Sequence, residues 1–277
     1  MCWYNPTSKN FVNKRNYLKT LIMVNNLIKK ILPAFILIVL TMGVDAQGKS
    51  VHQPSIKVYN ELLSKYVNKE GWVNYKGLIK DKDIFQKYLD DISNNPPGDN
   101  WNKDDKEAYW INAYNAFTIK LIMDHYPVKS IKDIGAKHQI PFINTPWQKK
   151  FFKIGNEEYK LDKIEHHILR KQFDDPRVHF AIVCASRSCA KLLNEAYEGS
   201  KLNEQLNEQA KDFLSDKKKN EITSSKAELS PYFTWYKKDF TKNGTVIDFI
   251  NKYSAVKLKA NASIDYKDYD WSLNEQR

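Results

Sequence analysis

Cysteine is scarce in this chain of 277 residues, which contains three, and no two of them have the CxxC spacing of close metal ligands. The HxxxH spacing is absent as well, so the local pairs that structural zinc sites normally show are missing. A zinc site would have to combine His166, His179, Cys184 and Cys189, and this is the weakest alternative. Internal repeats and low-complexity blocks are also lacking, which excludes a repeat architecture. The sequence therefore predicts no metal and no cofactor.

Long apolar runs are lacking outside the N-terminal region, where residues 31–44 form one after two lysines. The run is short for a stable membrane span, and Ala46 closes a pattern typical of signal-peptide cleavage. We predict a signal peptide over residues 1–46, with Met23 as a start that gives a more ordinary leader, and one domain over residues 47–277. The alternative is an uncleaved N-terminal anchor. Both predict an exported protein, periplasmic or secreted, and cleavage would leave no stable membrane span.

A concentrated basic surface is also lacking. The formal net charge is +11, of which residues 1–46 carry +5, and the remaining lysines are interleaved with acidic residues along the chain. This pattern indicates a solvated surface rather than a nucleic-acid-binding stripe, so no nucleic-acid partner is predicted. Mild attraction to an anionic envelope surface is all that the charge permits. The sequence gives no indication of oligomeric state.

The most apolar helical segment is residues 110–123, WINAYNAFTIKLIM, which is apolar around nearly its whole circumference. Such a helix is buried or spans a membrane, and Lys120 and Asp124 argue against a span. We therefore predict a buried central helix. Asn112 and Asn115 lie three residues apart on one face of it. Because buried amides need partners, they either tie down a neighbouring loop or line a site.

The rest of the chain predicts helices first and mixed short elements later. Helices are predicted over residues 54–68, 77–93, 162–173, 200–215, 231–240 and 246–253, and a β-hairpin over residues 151–161. Strands are predicted over residues 177–184, 221–223, 227–229 and 264–273. This order predicts an α+β fold, a helix-rich single domain with one small mixed or antiparallel sheet around the buried central helix.

The segment LDKIEHHILR, residues 161–170, places a carboxylate in an apolar arc. On a helical wheel Glu165 falls inside the inward arc and His166 at its margin, with Asp162 and Arg170 on the histidine's face. A buried carboxylate must be paired or have a raised pKa, and the adjacent imidazole is well placed to line a cleft. The alternative is structural: a buried salt bridge between Glu165 and an arginine, with His166 as a capping side chain.

The nearly continuous apolar run of residues 177–184, RVHFAIVC, predicts a central strand covered on both faces. Such a strand delivers Cys184 to the edge of the sheet, where Arg187 and an imidazole would lower the pKa of the thiol. Cysteine, histidine and an orienting polar residue form the set that thiol hydrolases use. The alternative is a disulfide between Cys184 and Cys189, which an oxidising compartment favours.

Four ordered blocks, WINAYNAFTI, LDKIEHHILR, RVHFAIVCASRSCAKL and the terminal YDWSLN, resemble the signature blocks of the domain-of-unknown-function family DUF547. The resemblance spans about residues 71–274 and implies an uncharacterised exported domain. The family pattern usually has Cys-Pro at the second cysteine, whereas this chain has Cys189 followed by Ala190. The turn after Cys189 is therefore expected to be less rigid than in relatives.

By analogy, the Asn, Glu-His and Cys blocks are similar to what thiol hydrolases of papain-like or transglutaminase-like type need. The order Asn, His, Cys is opposite to that of papain, so a shared fold requires a permutation. The resemblance implies catalytic roles for five residues: Cys184 as nucleophile, His166 as base, Glu165 as its orienting group, and Asn112 or Asn115 as oxyanion donor. We expect a substrate-binding set consisting of Arg170, His179, Arg187 and Cys189.

The sequence thus predicts an exported thiol-dependent hydrolase or acyl transferase that acts on amide bonds of a peptide or cell-envelope substrate. The alternative is a non-catalytic envelope or secreted domain with a structural Cys184–Cys189 disulfide. The state of these two thiols separates the two hypotheses.

Overall fold

The computed structural model describes residues 53–135 and 143–276. The helices are α1 (Lys57–Tyr66), α2 (Tyr75–Leu78), α3 (Lys82–Asn94), α4 (Lys103–His125), α5 (Lys163–Phe173), α6 (Leu202–Ser215), α7 (Tyr232–Trp235), α8 (Lys237–Phe240) and α9 (Val246–Tyr253). The strands are β1 (Phe152–Ile154), β2 (Glu157–Tyr159), β3 (Glu221–Ile222), β4 (Lys226–Leu229) and β5 (Ser263–Tyr266). Short 3₁₀ turns occur at Ile79–Asp81, Ile131–Asp133, Pro146–Gln148, Pro176–Phe180 and Gly199–Lys201.

Helix α4 is the predicted central helix. It begins after Asn102, whose side chain accepts the N–H of Asp105 and so satisfies one of the free donors at the helix start. It ends at His125, before Tyr126-Pro127, because a residue that precedes proline disfavours helical geometry. From residue 107 to residue 122 every residue except Lys120 is buried. The helix therefore forms the centre of the hydrophobic core, as predicted.

Helix α5 packs against α4 and carries the Glu-His step. The helix predicted over residues 162–173 is present, but its hydrogen bonds follow the wider π-helical pattern. It ends at Phe173, and the next residue, Asp174, adopts a left-handed conformation with φ 59°. Stretches of π-helix are rare and are often found at functional sites, so this geometry makes α5 a candidate part of a functional site.

The central strand predicted over residues 177–184 is wrong. Pro176–Phe180 forms a 3₁₀ turn that begins after Asp175, whose side chain accepts the N–H of Arg177. Residues 181–184 follow without regular structure. The burial that the apolar run predicts is present, but a short continuous apolar run cannot distinguish a strand from another buried segment. The turn chemistry of Asp175-Pro176 decides the local conformation here.

The described residues contain two small sheets rather than the single sheet that the sequence predicted. Strands β1 and β2 form the predicted antiparallel hairpin, with Phe152 opposite Tyr159. Strand β4 lies between antiparallel β3 and parallel β5. The closing strand is shorter than residues 264–273 and ends at Tyr266. Neither sheet surrounds α4, whose cover comes largely from helices and turns.

Residues 51–277 form one compact unit, and the α+β, helix-rich architecture predicted from the sequence is confirmed. The helix predicted over residues 246–253 is present with the predicted ends, and the other predicted helices are present with shifted ends. Residues 231–240 form the two short helices α7 and α8. The predicted signal peptide over residues 1–46 lies outside the described residues. Within the described part of the chain, no helix combines the length and apolarity needed to cross a membrane.

Candidate functional site

Helix α5, the segment that ends at Cys184, helix α7 and the chain after β5 enclose a cavity of about 650 Å³, here called the Cys184 cavity. Its acidic, basic and thiol lining residues are Asp162, Glu165, His166, Arg170, His179 and Cys184. Six further lining residues form an aromatic wall: Trp147, Tyr232, Trp235, Tyr236, Tyr269 and Trp271. The cavity thus combines an apolar wall with a small set of convergent polar groups, as ligand sites do.

Asn115 on α4 fixes the segment that leads into Cys184. Its amide nitrogen donates to the carbonyl oxygen of Ala181 at 2.9 Å, and its amide oxygen accepts the N–H of Val183 at 2.9 Å. These two hydrogen bonds, rather than the expected pairing with a neighbouring strand, hold residues 181–183 in place. The next residue after the thiol, Ala185, has φ 56°, an uncommon value for a residue with a Cβ atom. Such strained conformations cluster at functional sites.

The C-terminal segment runs beside the loop that follows Cys184. The N–H of Arg187 donates to the carbonyl oxygen of Ser272 at 2.9 Å. In the opposite direction, the N–H of Asn274 donates to the carbonyl oxygen of Ala185 at 3.1 Å. These bonds bring Tyr269 to the mouth of the loop. The terminal motif YDWSLN therefore completes the cavity that the Cys block begins.

Two hydroxyl groups surround the Cys184 sulfur. Ser186 Oγ lies 3.0 Å and Tyr269 Oη 3.1 Å from Sγ, and the two hydroxyl oxygens are 2.8 Å apart. Burial raises the pKa of the Cys184 thiol, the neighbouring Cys189 raises it further, and the two hydroxyls offset only part of this increase. The resting thiol is therefore protonated at neutral pH.

The Glu165 carboxylate is buried between two phenols. Tyr114 Oη donates to Oε2 at 3.1 Å and Tyr236 Oη donates to Oε1 at 2.9 Å. Among the described residues these tyrosines, rather than an arginine, are its hydrogen-bond partners, so no buried Glu165–arginine salt bridge is present there. His166 Nε2 lies 3.9 Å from Oε1, too far for a hydrogen bond.

His166 faces the cavity with 31% of its side chain exposed. Arg170 Nη1 donates to its Nδ1 at 2.7 Å, and its Nε2 lies 3.7 Å from Asp162 Oδ1. The predicted shared face of Asp162, His166 and Arg170 is therefore present. Because arginine can only donate, a neutral His166 ring carries its proton on Nε2.

His179 is the second imidazole of the cavity, and it is buried. Its Nε2 lies 2.8 Å from Oδ2 of Asp239, and the same carboxylate oxygen accepts a 2.6 Å hydrogen bond from Arg170 Nε. Burial opposes ionisation of Asp239, but these two partners outweigh it and hold the pKa of Asp239 far below its usual range. Burial lowers the pKa of His179. Among residues 53–135 and 143–276, its Nδ1 has no hydrogen-bond partner.

Cys189 lies on the other side of the loop. Its sulfur accepts the backbone N–H of Cys184 at 3.0 Å and lies 3.1 Å from the hydroxyl of Tyr232. Burial opposes ionisation, but the hydrogen bonds from Cys184 and Tyr232 outweigh it and lower the pKa of the Cys189 thiol. Both cysteines are free thiols in the structure, in contrast to the predicted alternative of a Cys184–Cys189 disulfide.

Three other predicted residues lie away from the Cys184 cavity. Asn112 donates to the carbonyl oxygen of Tyr197 at 2.8 Å, accepts its N–H at 2.9 Å, and lines a separate cavity of about 200 Å³. Arg187 and Cys189 line a third cavity, of about 690 Å³. The Arg187 guanidinium lies 4.9 Å from the centroid of the Trp72 ring. Asn112 and Asn115 therefore both act as ties, one of the two roles that the sequence left open.

Within residues 53–135 and 143–276, no group of three or more His, Cys, Asp or Glu side chains has the geometry to hold a metal ion. The zinc alternative, which combined His166, His179, Cys184 and Cys189, thus has no cluster to support it there.

Residues 98–214 match the family described as "Protein of unknown function, DUF547". The resemblance that the motifs indicated is confirmed over this segment. No curated protein and no solved structure matches the chain.

The DUF547 match contains α4, α5 and the loop with both cysteines, and hence every residue for which the sequence predicted a role in the site. Five of these residues line the Cys184 cavity, namely Cys184, Glu165, His166, Arg170 and His179. The aromatic residues from α7 and from the C-terminal segment lie beyond the DUF547 match.

Sequence reasoning missed Ser186, Tyr269 and Asp239. The first two stand inside recognised motif blocks, RVHFAIVCASRSCAKL and YDWSLN, so their positions carried a signal. Asp239 had none, because its role depends on α8 packing beside His179 and Arg170.

Proposed function

We propose that the protein is a thiol-dependent hydrolase or acyl transferase that acts on amide bonds of peptides or cell-wall material, with Cys184 as the nucleophile. The observation that carries the proposal is the meeting of the Cys184 thiol with two imidazoles and a buried carboxylate in one aromatic-walled cavity. Nucleophilic catalysis requires such a thiol, a proton acceptor and an orienting group.

In the proposed reaction the sulfur attacks the carbonyl carbon of the amide. The S–C bond forms, the C–N bond breaks, and the thiol proton passes through an imidazole to the leaving amine. Water then attacks the thioester in a hydrolase, or a second nucleophile attacks it in an acyl transferase. The raised pKa of Cys184 is compatible with this scheme because the base removes the proton as the substrate reacts.

His166 is the proposed proton acceptor because its ring is exposed to the cavity. Its Nδ1 is held by Arg170, so the ring must exchange this hydrogen bond before it accepts a proton. Arg170 also binds Asp239, which keeps the guanidinium in place when Nδ1 is released. The Cys184 sulfur hydrogen-bonds to Ser186 and Tyr269 rather than to an imidazole, and catalytic contacts often form only with substrate bound.

His179 is the competing proton acceptor. Asp239 orients its Nε2, and within the described part of the chain this leaves Nδ1 as an unpaired acceptor. A carboxylate orients the histidine of a catalytic triad in the same way, through one ring nitrogen. Against this role stands its burial, since its side chain is 1% exposed. Substitution of each histidine separates the two assignments.

The proposal includes export to the periplasm or the exterior, which rests on the leader-like residues 1–46. Its competitor is a non-catalytic envelope or secreted domain. One observation favours this second function: Asn112 and Asn115, two of the five residues with a predicted catalytic role, hold backbone segments in place.

Acyl transfer from p-nitrophenyl acetate, an activated ester, tests the proposal. We expect one acetyl group on the folded protein, attached as a hydroxylamine-labile thioester and absent from Cys184→Ala. The variant His166→Ala should lose acylation with an unchanged circular dichroism spectrum, whereas His179→Ala should keep it. A wild-type protein that is not acetylated at Cys184, or in which the two thiols are bridged, contradicts the enzyme function.

A further inference from the structure

Two hydroxyl groups that can donate hydrogen bonds lie beside the Cys184 sulfur, and the reaction described above gives neither of them a role. These are the hydroxyls of Ser186 and Tyr269, here called the hydroxyl pair, at 3.0 and 3.1 Å from Sγ. Acyl transfer to a thiol places a negative charge on the carbonyl oxygen, and enzymes stabilise it with preorganised donors. The oxygen of an acyl group bonded to Sγ lies within a few ångströms of the sulfur, in the same space as the hydroxyl pair.

Six other donors on this loop and on α4 are already engaged. The backbone N–H groups of Cys184, Arg187, Ser188 and Cys189 donate to Cys189 Sγ, Ser272 O, Asp270 O and Ser186 O, respectively. The amide N–H of Asn115 donates to Ala181, and that of Asn112 donates to Tyr197, in a different cavity. The asparagine side chains that the sequence suggested as oxyanion donors are therefore committed to backbone partners.

We propose that Tyr269, assisted by Ser186, donates the hydrogen bond that stabilises the oxyanion formed when Cys184 attacks an acyl carbonyl. This inference rests on the proposed function. In the acylation step the S–C bond forms, the carbonyl π electrons move to oxygen, and the Tyr269 O–H donates to that oxygen without losing its proton. The C–N or C–O bond then breaks, and the thiol proton leaves with the amine or alcohol.

Tyr269 has the two properties that such a donor needs. Burial raises the pKa of its phenol, so the hydroxyl keeps its proton over the physiological range. Its ring is held by three aromatic neighbours, with centroid distances of 4.5 Å to Trp271, 4.8 Å to Trp235 and 6.1 Å to Tyr232. A donor fixed in this way loses little freedom when the charge develops, which is the basis of electrostatic preorganisation.

Two reactions of the same sulfur test the inference. Iodoacetamide alkylates a thiolate by displacement at a CH₂ carbon and forms no oxyanion, whereas p-nitrophenyl acetate passes through one. Both rates are measured at Cys184 by intact mass on the wild type and Tyr269→Phe. We expect the acetylation rate to fall about 100-fold, the usual loss for one oxyanion donor, while alkylation changes by less than about threefold. Ser186→Ala should show the same selectivity with a smaller loss.

Tyr232→Phe is the matched control because it removes a phenol hydroxyl that binds Cys189 rather than Cys184. Its two rates should change by a common factor. If Tyr269→Phe slows both reactions equally, the hydroxyl acts on thiol ionisation or on the fold, and the oxyanion role is overturned. If it slows neither reaction, the role is overturned as well. A wild-type protein that alkylates but does not acetylate at Cys184 instead overturns the proposed function itself.

Discussion

Cys184 and Cys189 lie five residues apart in one loop. A reactive thiol is normally both accessible and easily ionised, but here each sulfur has only one of these two properties. Cys184 is half-buried and lines the aromatic-walled cavity, but burial raises its pKa. Cys189 is buried on the other side of the loop, and hydrogen bonds lower its pKa. Accessibility and ionisation are thus assigned to different sulfurs. The accessible thiol must gain its reactivity from a base that acts during the reaction, rather than from a standing thiolate.

The largest expected effect concerns which sulfur reacts. In the native wild-type protein, iodoacetamide should modify Cys184 first, because its side chain is half-buried beside the aromatic-walled cavity, whereas that of Cys189 is buried. Cys184→Ala should abolish the early modification, and Cys189→Ala should retain it. Intact mass and peptide mapping give the site. Modification of Cys189 before Cys184 would reverse the comparison, because ionisation would then dominate over access.

The next effect concerns the ties that hold α4 against its neighbours. Asn115→Ala and Asn112→Ala each leave a buried N–H and a buried C=O without a partner, so each should lower the free energy of unfolding by about 2–4 kcal/mol. Urea denaturation measures this. Of these two asparagines, only Asn115 binds the segment that leads into Cys184. Asn115→Ala alone should therefore alter the alkylation rate of Cys184, and equal effects of both variants would contradict the assignment.

The hydrogen bonds of Asn112 and Asn115 illustrate which parts of the site the sequence could predict and which it could not. The apolar circumference of α4 and the position of Glu165 inside the apolar arc were readable because helical periodicity repeats over many residues. Residues 177–184 carry no such period, so their burial was predictable and their conformation was not. The partners of Asn115 and of Asp239 come from distant chain segments, and no local pattern encodes them.

A smaller effect is expected on the pH dependence of Cys184. Because burial and the adjacent Cys189 raise the pKa of this thiol, its thiolate fraction should still be rising above about pH 10, where that of an ordinary cysteine has levelled off. Cys189→Ser removes the neighbouring sulfur and should lower that pKa, so that alkylation of Cys184 at pH 8 becomes faster than in the wild type. An unchanged profile would show that burial alone sets the pKa of Cys184.

The smallest expected effect belongs to Arg187. The sequence placed this residue beside the nucleophile as a cation that would lower the pKa of the thiol, but its side chain lies over Trp72 in the cavity that Cys189 lines. The Arg187 side chain is half-buried there, so solvent screens its interaction with Cys184. Arg187→Ala should therefore change the alkylation rate of Cys184 by less than about twofold, with Lys191→Ala as a control from the same cavity. A loss of tenfold or more would mean that the two sides of the loop are electrostatically connected, and the division between the two sulfurs would no longer hold.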